Sequence, residues 1–189
     1  DEETGIDWYI KKPPTDDHAR NEVLAAKLYE SAGIEVPNVQ LIKDAEGNLR
    51  VASQIIDNLE VNGKKLASGK VKNVNEGFVV DSWLANWDVV GLNYDNMLIK
   101  HNRAIRLDTG GALLFRAQGG RKGSDFGVTV NEIETLRNVN VNPKSASVFS
   151  SVTDRELSDS VGKLAAIDKD EIKALVKKFG PGTLAEREN

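Results

Sequence analysis

The stretch Asn86-Trp87-Asp88-Val89-Val90-Gly91-Leu92-Asn93-Tyr94-Asp95-Asn96-Met97-Leu98-Ile99, completed by Arg106-Leu107-Asp108-Thr109-Gly110-Gly111, decides how this chain is read. Polar clusters flank an apolar run, Met97 to Ile99, and a His101-Asn102 turn leads into a second β-prone run, Ala104 to Leu107. The order is loop, strand, turn, strand. Asp88 and Asn96 then lie near one end of a hairpin, with Asp108 just past its other end. Hard cations take oxygen ligands, and three converging oxygen-bearing side chains suit one or two magnesium ions holding a polyphosphate.

The totals bound the possibilities. A chain of 189 residues, 40% hydrophobic and 29% charged, is long enough for a real core and has the composition of a soluble globular domain. No apolar run approaches the ~18 to 20 residues of a membrane span. Lys plus Arg (25) against Asp plus Glu (29) gives a net charge of −4, which argues against dedicated nucleic-acid binding. With no cysteine there is no disulfide, thiolate zinc site or cysteine nucleophile. The start at Asp1 and the helix-like end, Leu184 to Asn189, read as a piece of a longer polypeptide.

Outward from the central stretch, Ile6 to Lys11 reads as a strand between a Thr4-Gly5 turn and Pro13-Pro14. On a strand, Tyr9 and Lys11 share one face and Ile10 and Lys12 the other, so only one of the two lysines can point into a cleft beneath the sheet. Thr15, Asp16 or Asp17 caps a helix that runs to about Ser31 and closes at Gly33. Asn21-Glu22 stands at the edge of its apolar stripe, and Glu22 is either a solvated neighbour or the partner of the strand lysine. Val39 to Ile42 and Leu49 to Ile56 form a hairpin around Asp44 to Gly47, and Gln54-Ile55-Ile56-Asp57 leaves it toward the rest of the chain.

Residues 58 to 76 read as a loop-rich connection whose lysines (Lys64, Lys65, Lys70, Lys72) face solvent. Phe78 to Trp87 returns to helical spacing, with Val79, Val80, Trp83, Leu84 and Trp87 on one face, so the helix delivers Asp88 from its C-terminal end. Thr109 to Gly123 holds five glycines and reads as a mobile loop. Its Arg and Lys residues suit an anionic group, although a solvated turn is the simpler reading of Gly119 to Gly123. A helical tail follows: Glu132 to Asn138, a helix capped by Thr153 with Glu156 in capping-box spacing, and Asp168 to Lys178 closed by Gly180-Pro181. His18 and His101 lack ligand spacing with the acidic set, which disfavours a metal hydrolase.

Taken in order, these parts form a specific pattern, carried by Trp8-Tyr9-Ile10-Lys11, Ala19-Arg20-Asn21-Glu22-Val23-Leu24-Ala25-Ala26, Asn86-Trp87-Asp88-Val89-Val90-Gly91-Leu92 and Arg106-Leu107-Asp108-Thr109-Gly110-Gly111. The chain resembles the protein-kinase-like fold in its atypical branch, which includes HipA-type toxin kinases, actin-fragmin kinase and phosphoinositide (lipid) kinases. It is most similar to the kinase-like domains of phage and prophage polyvalent proteins. The likeness covers most of residues 5 to 123.

The resemblance implies an α+β fold with a truncated N-terminal β lobe (residues 1 to 57) and a mainly helical C-terminal lobe (residues 58 to 189). It implies an ATP- and Mg2+-dependent phosphotransferase acting on protein Ser/Thr more readily than on a lipid or small molecule. Lys11 would contact the α- and β-phosphates and Glu22 would be its partner. Asp88 would orient and deprotonate the attacking hydroxyl, Asn96 and Asp108 would hold magnesium, and adenine would lie near Gln54, Ile55 and Ile56.

Two departures qualify this expectation. The usual metal-binding Asn stands five residues after the catalytic Asp, which is Asn93 here, whereas Asn96 is eight residues after it but directly precedes the strand. Asn96 is preferred, with Asn93 open. The glycine-rich turn that precedes the lysine strand in related kinases has no counterpart in this sequence. Three readings follow: an active kinase completed by a preceding segment, an impaired pseudokinase or binding module of a larger phage or effector polypeptide, or a kinase-fold nucleotidyltransferase. Expected partners are a protein substrate and the N-terminal remainder of the parent polypeptide, covering apolar surface. The expected location is the cytoplasm of a host cell, or the virion.

Overall fold

The computed structural model describes residues 5–188. Thr4 of the expected first turn lies outside them, while Gly5 has a φ of +65°. Strands β1 (Trp8–Lys11), β2 (Val39–Lys43) and β3 (Leu49–Gln54) form an antiparallel sheet in the order β1-β3-β2. β1 starts two residues later than Ile6, and β3 stops at Gln54 rather than Ile56. The hairpin turn is held by Asp44, whose carboxylate accepts from the amides of Glu46 (3.1 Å) and Asn48 (2.8 Å), with Gly47 at φ +85°.

Lys11 lies opposite Val51, and Val51 opposite Leu41. Directly opposed residues share a face, so Lys11 belongs to the face that packs on helix α1 (Asp16–Ser31). Thr15 caps α1 by accepting from the His18 amide at 3.1 Å. The expected single apolar stripe is too narrow a description of this helix. Ala19, Val23 and Ala26 pack on the sheet, while Leu24, Leu28 and Tyr29 pack on the opposite side. With apolar partners on both sides, α1 buries Asn21 and Glu22 as well.

The connection from the sheet is irregular, as expected, with a short helix α2 (Gly63–Leu66). It is nevertheless bound to the second hairpin, β4 (Met97–Lys100) and β5 (Arg103–Arg106). Glu60 exchanges both backbone hydrogen bonds with Ile99 (2.8 and 3.0 Å), and Lys72 bridges beside Arg103, donating to the Asn102 carbonyl (3.1 Å) and accepting from the Ala104 amide (2.9 Å). The β4–β5 turn has His101 and Asn102 at φ +49° and +61°, the paired positive values of a tight type I′ hairpin.

Helix α3 (Phe78–Trp83) is shorter than the spacing predicts. Leu84 is buried, but Ala85 turns to φ +50° and Trp87 stands 39% exposed. The chain leaves the helix because Asn86 is drawn into the core: its amide closes back on the Asp81 carbonyl (2.9 Å) and its side chain donates to the Tyr29 hydroxyl (3.0 Å). Asp88 therefore sits in a loop beyond the helix end.

Helices α4 (Glu132–Thr135), α5 (Pro143–Phe149), α6 (Asp154–Ala165), α7 (Lys169–Phe179) and α8 (Leu184–Glu188) complete the chain. α5 is absent from the sequence reading; Asn142 caps it, with Pro143 in its first turn. The capping box at Thr153 and Glu156 is present. α6 packs on α3, and α7 packs on α1. No helix among the described residues is long and apolar enough to cross a membrane.

Candidate active site

β1, α1 and the two loops around the β4–β5 hairpin meet at one junction. Lys11 donates to Glu22 at 2.7 Å and lies 3.3 Å from Asp108. Lys12 is exposed and takes no part. Asn96 donates to the Asp88 carboxylate (3.0 Å) and to its carbonyl (2.8 Å). The hairpin register brings Asn96 beside the second loop, since the Leu107 amide donates to the Asn96 carbonyl at 2.8 Å. Asn93 is exposed, with its amide turned toward Asp95.

The charges at this junction do not balance. Burial alone would lower the Lys11 pKa, but the two carboxylates beside it raise it overall. Glu22 is also pushed up, by burial first and by Asp108 in addition, against the pull of Lys11. Burial raises Asp88, and the charges of Asp108 and Asp95 add to this against its hydrogen bond from Asn96. Two carboxylates thus flank one ammonium, and the charge of Asp108 is felt in turn by Asp88, a surplus of negative charge that fits a cation. Among the described residues no three His, Cys, Asp or Glu side chains form a ready-made metal group. The available donor set is one or two carboxylates with an amide oxygen, which suits magnesium shared with phosphate oxygens.

Two clefts open on the junction. One, of about 310 Å³, is lined by Tyr9, Lys11, Gln54, Ile55, Ile56, Asn96 and Asp108. It therefore brings the sheet exit together with the lysine and the second loop, at a volume typical of small-molecule sites. The other, of about 500 Å³, is lined by Asp88, Trp87, Leu92, Gly111, Arg116 and Lys122. Asp88 opens on this second cleft.

Several residues that build the site have no role assigned to them in the sequence reading. Asn21 is one of them, holding the segment after Asp108 at two points: it donates to the Ala112 carbonyl (2.9 Å) and accepts from the Leu114 amide (3.1 Å). Thr109 donates to the Glu22 carbonyl (3.0 Å), and His18 donates to that of Gly110 (3.3 Å) while stacking on Phe115. A Cβ at Gly110 would stand 3.1 Å from the Glu22 carboxylate and 3.2 Å from that of Asp108, so a side chain there would displace them by a few tenths of an ångström. Lys122, expected in a solvated turn, is 7% exposed and donates to the carbonyls of Ala85 (2.6 Å) and Gly111 (2.8 Å). The glycine-rich segment is thus fastened to α1 and to the Asp88 loop instead of hanging free.

A second set lies on the core side. Arg106, two residues before Asp108, makes a bidentate pair with Asp81 (3.0 and 2.7 Å), donates to the Val74 carbonyl (3.1 Å) and also bonds the Asn73 carbonyl. Tyr29 donates to the same Asp81 (2.9 Å) and accepts from Asn86, two residues before Asp88. A charged residue inside an apolar run was the available signal: Asp81 follows Phe78-Val79-Val80, and Arg106 follows Ala104-Ile105.

The solved structure of the Helicobacter pylori proinflammatory kinase CtkA is similar over 96% of this chain and 79% of its own, at 14% identity and a TM-score of 0.59. An N-terminal 618-residue fragment of LepB from Legionella pneumophila is similar over 95% of this chain and 38% of its own, at 12% identity and a TM-score of 0.48. No family model and no curated protein matches the sequence. The architecture, a small antiparallel sheet with one long helix packed on it and a mainly helical remainder, is a kinase-like fold.

Proposed function

We propose that the chain is a phosphotransferase that uses ATP with Mg2+ and phosphorylates a Ser or Thr hydroxyl of a protein. The observation that carries this reading is the meeting, at one junction, of Lys11 paired with Glu22 and Asp108 and of Asp88 paired with Asn96. A kinase-like fold is consistent with it.

Lys11, flanked by two carboxylates, keeps its proton and presents a fixed ammonium to the α- and β-phosphate oxygens. Glu22 sets the position of that ammonium. The amides of Gln54 and Ile55 are already engaged by the carbonyls of Asn38 (2.9 Å) and Asp7 (2.8 Å), so of these three residues Ile56 is the one whose amide is left to donate to the adenine edge. Asp108 and Asn96 are the assigned magnesium ligands, in preference to Asn93. When bound, the metal would neutralise the polyphosphate and hold the γ-phosphoryl group in line. Asp88 orients the incoming hydroxyl and takes its proton. The hydroxyl oxygen bonds to the γ-phosphorus, the bond to the bridging oxygen breaks, and ADP leaves with that electron pair.

The test is incubation with ATP, Mg2+ and Ser/Thr peptides, read by intact mass. Asp88→Asn should lower transfer by about 10²- to 10⁴-fold and leave nucleotide affinity unchanged; full activity in this variant removes Asp88 from its role. Asp108→Asn should lose magnesium-dependent nucleotide binding in calorimetry. Nucleotide binding without transfer, in the parent protein, would make the chain a binding module. An adduct carrying the nucleoside would make it a nucleotidyltransferase.

A further inference from the structure

The cleft beside Asp88 does not end there. A smaller one, of about 170 Å³, shares Trp87, Asp88 and Leu92 with it and runs on to Lys144. Together they form a trough that passes Asp88 on both sides. The chain as a whole carries a net charge of −4, yet Arg116, Lys122 and Lys144 line this trough; Asp88 is the sole carboxylate of its two clefts, and Asp125 and Glu132 stand behind Arg116 and Lys122 in an adjoining cleft.

Lys122 is the most informative of the three cations. Its ammonium is tied to two carbonyl oxygens, and no carboxylate lies within ion-pair distance of it among the described residues. Burial pulls its pKa down to about 8, and the charge of Glu132 offsets this only in part. A buried ammonium without a counter-ion is costly, and an anion arriving beside it recovers that cost. Arg116 is paired with Asp125, but both side chains are more than half exposed, so the pair is weak and its partner exchangeable. Trp87 and Leu92, the latter 74% exposed, supply apolar surface next to Asp88.

We propose that this trough binds an extended acidic segment of a protein. A carboxylate of the segment lies against Lys122 and Arg116, and an apolar side chain packs over Trp87 and Leu92. The presence of an accepting hydroxyl at Asp88 rests on the phosphotransferase reading; the charge and shape of the ligand do not. A trough that continues on both sides of Asp88 fits an extended chain better than a compact small molecule.

The experiment uses labelled peptides with a central Ser and a neighbouring Leu, flanked by Glu, Gln or Lys, and an RNA oligonucleotide of similar length. Binding to the chain is read by fluorescence anisotropy without nucleotide, and phosphate transfer is measured in parallel. The Glu peptide should bind about tenfold tighter than the Gln peptide, with the advantage shrinking at high salt. Arg116→Gln, a substitution at an exposed position, and Lys122→Met should each reduce that advantage, and the double variant should abolish it. Equal affinity for the Glu and Gln peptides, an advantage that survives the double variant, no peptide binding, or tighter binding of RNA each overturns the proposal. Charge-selective binding without transfer, in the parent protein as well as in the chain, would leave it standing and remove the phosphotransferase reading. Transfer without charge selectivity would do the reverse.

Discussion

Arg106 and Asp81 hold the loops of Asp108 and Asp88 from the core side, while Lys11 and Glu22 meet the Asp108 loop from the cleft side. The core-side pair is fully buried, and every guanidinium nitrogen of Arg106 has an acceptor. The cleft-side group is partly open, with Asp108 about half exposed and more carboxylates than cations. A buried charge persists only when it is paired and hydrogen-bonded, so the core side has nothing left with which to bind a ligand. The cleft side keeps the unbalanced charge that a cation and a polyphosphate can use. One cluster fixes the positions of the loops, and the other has the capacity to react.

Breaking the core pair tests this division most severely. Arg106→Met or Asp81→Leu alone should cost about 3 to 5 kcal/mol of stability in chemical denaturation, because each leaves its partner charged and buried. Gly77→Ala comes next: an added Cβ would stand 2.3 Å from a guanidinium nitrogen that cannot move without losing its acceptors. An overpacking cost of about 1 to 3 kcal/mol is expected from the same measurement.

On the cleft side the effect should invert. Lys11→Met or Glu22→Gln should cost about 1 to 3 kcal/mol of stability, less than the core pair because Asp108 reaches solvent although Glu22 is buried, yet phosphate transfer should fall by about a hundredfold or more. A stability loss as large as that of Arg106→Met would erase the distinction between the two clusters.

The smallest expected effect concerns pH. Asp88 acts as a base only when ionised, and burial, with Asp108 and Asp95 adding to it, holds its pKa above the ordinary aspartate value. Transfer should therefore fall as pH drops through that raised value. Asp95→Asn removes one like charge and should move the acid limb of the pH–rate profile slightly downward, whereas an upward shift would contradict the assigned cause.

Much of the frame was legible in short-range pattern. The β4–β5 hairpin follows from the apolar run Met97 to Ile99, the His101-Asn102 turn and the β-prone run after it; the cap at Thr153 follows from Glu156 three residues on, and Thr15 is one of three cap candidates. The pairing of Lys11 with Glu22 was legible as one of two alternatives, because a strand lysine and a helix carboxylate eleven residues apart either meet or face solvent. The end of α3 was not legible. Trp87 keeps the helical spacing of an apolar face, and only the burial of Asn86 against Tyr29, 57 residues away, pulls the chain out of the helix.

Local spacing and residue type thus established where the strands, caps and acidic clusters lie, because hydrogen bonds within a turn or strand depend on neighbours a few residues apart. Tertiary structure alone decided that Lys122 is buried and that Arg106 finds Asp81. Those outcomes depend on which surfaces exclude water once the sheet, α1 and α3 have packed, and exclusion of water is a property of the assembled core that no local stretch encodes.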